Sequence, residues 1–293
     1  MRRRLSVLIA ALAALICFST AADAQEQVDP LYSVDADNFQ ISAPAYQGFY
    51  IRADVGVADW SLGTLDQAEL AENGGSFADS SLARSAVLGG GLGWAFRNGF
   101  RLDLTGEHRT KARLAARDNL TVDLVDPDGA LQANTDYAGH LGSYVGLLNG
   151  YWDIMHAGRF TPYVGAGIGV ARSELSGFTT ASSSIFTDAD TGEQARVAVT
   201  GESASHSTTK FAWALMAGTS IDLTRDAKLD LGYRYLNLGA GSPISASTDL
   251  LICHCNAVGS PLTIDGLDAH EFRIGLRWLL DAGERAGNHV PLK

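Results

Sequence analysis

Three stretches of the chain alternate strictly between apolar and polar side chains. From Phe49 to Val57 the odd positions are Phe49, Ile51, Ala53, Val55 and Val57, with Arg52, Asp54 and Gly56 between them. From Phe100 to Arg109 the apolar Phe100, Leu102 and Leu104 face Arg101, Asp103, Thr105, Glu107 and Arg109. From Phe272 to Leu280 the apolar set is Phe272, Ile274, Leu276, Trp278 and Leu280, opposed by Glu271, Arg273 and Arg277. A period of two belongs to a β-strand whose two faces meet different surroundings. The same pattern predicts eight strands, near 48–62, 81–97, 99–109, 137–153, 160–174, 208–223, 227–238 and 268–280.

The connections alternate in length. Short ones fall at Asn98-Gly99, Met155–Arg159 and Thr224–Asp226, and long ones cover 63–80, 110–136, 175–207 and 239–267. Asp126-Pro127-Asp128-Gly129 reads as the turn at the tip of an extended hairpin. Short turns at one end and long loops at the other predict an all-β fold: an eight-stranded antiparallel up-and-down transmembrane β-barrel with short periplasmic turns and long extracellular loops. A soluble sandwich or lipocalin-like barrel would share the alternation but bury the apolar face. The aromatic residues separate the two. Phe96, Phe100, Trp152, Phe160 and Trp278 lie by the short turns, and Trp60, Tyr137, Phe211, Trp213, Tyr235 and Phe272 by the long loops, as two girdles would. Glycines inside strands (Gly89, Gly91, Gly93, Gly165, Gly167, Gly169) also suit a barrel better than a sandwich.

The ends of the chain carry other signals. Arg2, Arg3 and Arg4 precede an apolar run from Leu5 to Phe18 and the small-residue site Ala22-Asp23-Ala24, so residues 1–24 read as a cleaved export signal. The run is too short to span a bilayer, and Ile16 before Cys17 does not suit a lipoprotein site. Residues 25–47 lack periodicity and read as a flexible periplasmic segment, residues 48–280 as the barrel, and 281–293 as a polar periplasmic tail. Composition agrees with this class. With 46% hydrophobic and 19% charged residues the chain is not a disordered one. Its three cysteines exclude a disulfide scaffold, and its acidic balance excludes a nucleic-acid binder. Removing residues 1–24, with three arginines and one aspartate, takes the formal charge from −11 to −13.

If the apolar faces meet lipid, the lumen receives Arg52, Asp54, Arg101, Asp103, Glu107, Arg109, Asp222, Asp230, Arg234, Glu271, Arg273 and Arg277, six cations against six anions. Eight strands enclose just enough space for side chains to fill, and charges buried there must be paired. The expectation is a neutral salt-bridge network that plugs the lumen, with Gly165, Gly167 and Gly169 making room for arginines opposite. The competing readings of the same charges are an ion pathway or a catalytic pair.

Gly48-Phe49-Tyr50-Ile51, Thr161-Pro162-Tyr163-Val164-Gly165-Ala166-Gly167 and His270-Glu271-Phe272-Arg273-Ile274-Gly275-Leu276-Arg277 together resemble the small outer membrane protein β-barrel family, the OmpA-like and porin-like eight-stranded barrels of Gram-negative bacteria. The resemblance covers residues 48–280. It implies residence in the cell outer membrane, contact with its lipid and lipopolysaccharide, and insertion by the outer-membrane assembly machinery. That machinery reads a last-strand signal that Arg273, Gly275, Trp278 and Leu280 match in order. The family has no single activity, and members usually stop at the end of that strand, whereas this chain continues.

Remaining candidate chemistry is sparse. Cys253-His254-Cys255 reads as a Cys253–Cys255 disulfide in an oxidising compartment or as part of a soft-metal site, and three consecutive residues do not easily complete a tetrahedron. His140 and Ser143 fall on opposite faces of one strand, and no nucleophile constellation is evident. Lys111, Arg113 and Arg117 in the second long loop suit lipopolysaccharide phosphates. The sequence therefore predicts no catalytic residues, metal or cofactor, and a structural surface barrel whose loops meet an extracellular partner. A small weakly selective pore is the alternative, and a barrel enzyme acting on lipid the third.

Overall fold

The fold is that of a computed structural model, which describes residues 41–42, 47–125, 128–240, 247–250, 255–258 and 262–280. The export signal, most of the 25–47 segment, the 281–293 tail and Cys253 lie outside the described residues. Eight strands form a closed ring: β1 (Gly48–Leu62), β2 (Ser85–Ala95), β3 (Phe100–Val125), β4 (Asp128–Asp153), β5 (Phe160–Asp188), β6 (His206–Asp222), β7 (Ala227–Asn237) and β8 (Leu267–Leu279). Each pairs antiparallel with its neighbour in the chain. β8 then returns to β1, with Phe272 opposite Val57, so the sheet has no free edge within the ring. The short turns between β2 and β3, β4 and β5, and β6 and β7 share one end with the start of β1 and the end of β8. Gly99 and Gly158, at φ of 82° and 60°, supply the left-handed backbone that two of these turns need.

Burial is inverted relative to a soluble protein. On β1, Phe49, Ile51, Val55 and Val57 are exposed while Tyr50, Asp54 and Ala58 are buried. On β3, Phe100, Leu102 and Leu104 point outward and Arg101, Asp103, Glu107 and Arg109 inward. An apolar belt of this extent must be covered, and lipid covers a closed barrel without leaving backbone groups unpaired. Phe96, Phe100, Trp152, Phe160 and Trp278 form the periplasmic girdle, and Phe211 and Phe272 lie exposed toward the other rim. Trp60 and Tyr137 depart from the predicted outer girdle. They keep phase with the inward Tyr50 and Tyr151 of their strands, so both are buried inside the mouth.

The long connections contain more strand than expected. β3 and β4, of 26 residues each, rise together as a hairpin, so 110–125 and 128–136 are strand and not loop. β5 runs on to Asp188 and returns as strand Gln194–Ser203, paired along the predicted loop 175–207. A membrane-crossing strand needs only about 9–11 residues, so these extensions stand outside the bilayer. Two bulges mark the passage. On β3 the register slips between Arg109 and Ala112, and the inward set changes from Arg101–Arg109 on odd numbers to Ala112, Leu114 and Ala116 on even ones. On β5 it slips beside Gly177 (φ 59°), and the buried positions pass from Leu175 to Phe178. A bulge adds one residue to one strand and so reverses its faces.

Outside the membrane the ordinary rule returns. Trp60, Leu65, Leu114, Leu141, Leu175, Phe178, Leu236, Leu238, Leu262, Ile264 and Leu267 belong to one buried cluster. The β1–β2 and β7–β8 connections close over it through the antiparallel pair Leu65–Asp66 and Thr263–Ile264, where Gly63 donates to the Gly266 carbonyl at 2.7 Å. Strand Ser76–Leu82 borders the outer half of β3. At the periplasmic end, Ile41–Ser42 pairs with His156–Ala157, where the sequence predicts no structure.

Candidate functional site: the closed lumen

The polar interior is organised in layers by the register of the ring. In the layer nearest the periplasm, Arg101 donates to both carboxylate oxygens of Asp153 at 2.7–3.0 Å and lies over the Tyr151 ring at 4.7 Å and the Tyr163 ring at 5.2 Å. Opposite, Arg277 donates to Asp230 at 3.0 Å and Ser220 at 2.8 Å, and Ser220 donates to Asp230 at 2.5 Å. Above this, Arg52 bridges Asp54 (2.7 and 2.8 Å) and Asp103 (2.8 Å), and Asp103 also accepts from Tyr50 (3.1 Å) and Asn149 (2.8 Å).

The uppermost polar layer centres on two glutamates. Glu107 accepts from Arg234 (2.5 and 2.8 Å), Arg273 (2.7 Å) and Arg109 (3.0 Å). Glu271 accepts from Arg234 (2.5 and 2.8 Å) and Arg109 (2.7 Å). The side chains of Glu107, Arg109 and Glu271 are fully inaccessible to solvent. Such charges are tolerated only because each faces an opposite one with several hydrogen bonds. The gap lined by Arg52, Asp54, Tyr151, Asp230, Arg234 and Arg273 holds about 20 Å³, room for a single water.

Of the twelve predicted lumenal charges, Arg52, Asp54, Asp103, Glu107, Arg109, Arg234, Glu271 and Arg273 join through ion pairs into one group, Arg277 and Asp230 form a separate pair, Arg101 pairs with Asp153, and Asp222 stands apart. That residue lies at the periplasmic mouth, ion-paired with Lys228 and 3.1 Å from His156 Nε2. Its place is taken by Asp153. The sequence does contain the signal, because Asp153 keeps phase with Tyr151 and Asn149 on the inward face of β4. The glycines serve other neighbours than arginine. A Cβ on Gly165 would meet Tyr151 at 2.6 Å, one on Gly167 would meet Asn149, and one on Gly93 would meet the Tyr50 ring. Of the last-strand signal residues, Arg273 faces the lumen, Gly275 leaves space for Asp54, and Trp278 and Leu280 are exposed on the lipid side.

One arrangement was not legible in the sequence. Thr161 Oγ1 lies 2.8 Å from His156 Nδ1, and His156 reaches Asp222 through its other nitrogen. A hydroxyl, an imidazole and a carboxylate in line are the parts of an acyl-transfer site. Thr161 is only 2% exposed, however, so a substrate has no access, and the trio fastens the β4–β5 turn to β6. Among the described residues no group of three or more His, Cys, Asp or Glu is placed to hold a metal.

A closed eight-stranded ring with a polar core and a lipid-facing apolar belt matches the comparison with protein families. The model of the outer membrane protein β-barrel domain matches residues 10–278. The chain belongs to this family. It is an outer-membrane protein. An uncharacterised protein of Brucella abortus is 27% identical over 302 residues, which cover 94% of this chain and 97% of the relative. The outer membrane protein PagN of Salmonella typhimurium is 26% identical over 207 residues, 68% of this chain and 77% of PagN. Among solved structures, Neisserial surface protein A aligns over 82% of this chain and 99% of its own, with 14% identity and a TM-score of 0.40.

Proposed function

We propose that this family member is a non-enzymatic envelope and surface barrel with a closed lumen, and that its extracellular extensions are the working part. The observation that carries the reading is the stack of ion-paired layers from Arg101–Asp153 to Arg234–Glu271, roofed by the apolar cluster around Leu114, Leu141, Leu175 and Leu238. An ion crossing this stack would have to break buried pairs, each costly to separate, and then pass an apolar roof. Against the small-pore alternative, the gap among the described charged residues holds only about 20 Å³. The partners in this reading are outer-membrane lipid and lipopolysaccharide, the assembly machinery that inserts the chain, and an extracellular surface met by the β3–β5 extensions. Planar-bilayer recording of the purified protein tests the reading: it predicts no steady conductance, and a large, sustained one overturns it.

A further inference from the structure

We propose that the outward face of β3–β5, just above the lipid-facing belt, is a binding site for the phosphate groups of an outer-leaflet glycolipid. The proposal deepens the envelope reading and rests on it. Cross-strand register places three rows of outward side chains on this face, roughly 7 Å apart along the strands. The lowest row pairs His108 with Tyr144 and Tyr144 with Arg172, and the His108 and Tyr144 rings lie 4.6 Å apart. The next row brings Lys111, in the bulge, beside Glu174, and the third pairs Arg113 with His140.

The bulge creates this face. Where Ala112 and Leu114 turn inward to the apolar roof, Lys111 and Arg113 must turn outward, and both are exposed, as is Arg172. Three permanent cations therefore stand against one carboxylate, Glu174, in a chain whose formal charge is −11. Among the described residues, Arg113 and Arg172 pair with no carboxylate. Arg172 reaches only the Ser207 hydroxyl at 3.2 Å, and Lys111 lies 2.8 Å from the Ser176 hydroxyl and 3.9 Å from Glu174. Among the described residues, the β8–β1 side of the barrel has its outward charges in partnership. There Asp59 meets Arg84 at 3.4 Å, and Asp268 accepts from Asn237 at 2.6 Å.

Height selects the ligand. Val170, one step below Arg172 on the same face of β5, is 57% exposed to the apolar belt, so the cations lie where lipid headgroups begin. A guanidinium matches phosphate bidentately and an ammonium matches it as a point charge, and Tyr144 offers an amphipathic ring at the boundary. A phosphorylated glycolipid anchored in the outer leaflet meets all three conditions, whereas a soluble anion would use the charges and not the ring and belt below.

The test measures binding of diphosphoryl lipid A to the full-length protein in detergent micelles. Lys111→Ala, Arg113→Ala and Arg172→Ala combined should weaken binding by about tenfold or more, as loss of charge-assisted phosphate contacts does. Glu174→Gln should tighten it, monophosphoryl lipid A should bind more weakly than the diphosphoryl form, and Arg117→Ala should bind as the unaltered protein does. Should the triple variant fold poorly, Arg172→Ala alone and Glu174→Gln still give opposite shifts. Equal binding by the triple variant overturns the proposal. So does displacement of the lipid by inorganic phosphate or a sulfated oligosaccharide at similar concentration. Bilayer conductance is independent of this measurement, so failure here leaves the closed-lumen reading to its own test.

Discussion

Replacing Glu107 by glutamine perturbs the lumen where it is most heavily coupled. The upper layer contains Arg109, Arg234 and Arg273 against Glu107 and Glu271, and Asp54, 3.6 Å from Arg273, supplies the balancing charge. Glutamine keeps the shape of Glu107 but removes its charge, leaving three arginines around one glutamate. Each arginine–glutamate attraction is worth about 4 kcal/mol at a 4 Å separation and an effective dielectric constant near 20. Losing three of them removes on the order of 10 kcal/mol, and the desolvation that Glu107 no longer suffers returns several kcal/mol. The expected net destabilisation is about 3–5 kcal/mol, the range seen when one member of a buried pair is removed. Urea unfolding of the protein in lipid vesicles, followed by tryptophan fluorescence and by the shift between folded and unfolded bands on gels, measures it. Arg273→Gln combined with Glu107→Gln removes one charge of each sign, so the double variant should be more stable than additivity predicts by at least about 1 kcal/mol. A Glu107→Gln protein within about 0.5 kcal/mol of the original, the scatter of ordinary surface changes, would refute the argument that paired charges hold the lumen together.

Gly169→Ala should block folding into vesicles, because its Cβ would collide with the Gly146 carbonyl oxygen, whereas Gly106→Ala meets nothing within 4 Å and should fold normally. The Tyr137 hydroxyl donates to the Asp118 carboxylate at 2.7 Å and lies 2.9 Å from the Gln67 side-chain oxygen, tying the β1–β2 connection to the β3–β4 hairpin. Burial, and then the Asp118 carboxylate, push its hydroxyl up. This contribution is complete below the ordinary tyrosine range near 10 and is lost as pH rises through the folded value. Hydrogen exchange in residues 63–84 should accelerate at alkaline pH, and Tyr137→Phe should remove the pH step. Arg117 and Asp136 form an equally close pair, at 2.5 and 2.9 Å, but in solvent, so Arg117→Ala should leave the unfolding midpoint unchanged. Arg117 holds the Asp136 carboxyl below its usual range, so whatever this pair adds is present at neutral pH and fades as acid protonates Asp136.

How far the sequence discloses the molecule depends on how local the cause is. Alternation in Phe49–Val57 or Phe272–Leu280 is written into adjacent residues, so the strands and the direction of their faces follow directly. The inward charges follow from the same phase, and Asp153 does too once Tyr151 and Asn149 are counted with it. Asp222 defeats the phase argument because it sits at a strand end, where Lys228 and His156 from neighbouring elements compete for it. Trp60 and Tyr137 are aromatic and near strand ends, which suggests girdles, yet their phase puts them inside. Of the two signals, phase decides, because a side chain on a paired strand cannot choose its face. The Thr161–His156–Asp222 contact joins a turn to a distant strand and has no local signature at all.

The extensions of β3–β5 were hidden for a more specific reason. A strand search that demands one unbroken phase stops at Arg109 on β3 and at Glu174 on β5, and each lies just before a bulge. The β3 bulge falls at the passage from lipid to water, where the inward residues change from charged to apolar; on β5 they are apolar on both sides of the slip, from Ala171 and Leu175 to Phe178. Within lipid the wall must be apolar outside, so polar groups go in and pair. Beyond it, apolar groups go in and the cations go out. A strand with fixed phase would need its hydrophobic pattern to reverse at this level. A one-residue slip reverses the faces instead, and the sequence continues its alternation on both sides of it. The same slip seats Leu114 over the closed lumen and turns Lys111 and Arg113 toward the membrane surface. Removing the extra residue by deleting Lys111 would therefore not simply shorten a loop. It would exchange the two faces of the outer part of β3, exposing Leu114 and driving Arg113 into the apolar roof, and the mouth of the barrel should lose its protease resistance while the membrane-embedded ring below remains folded.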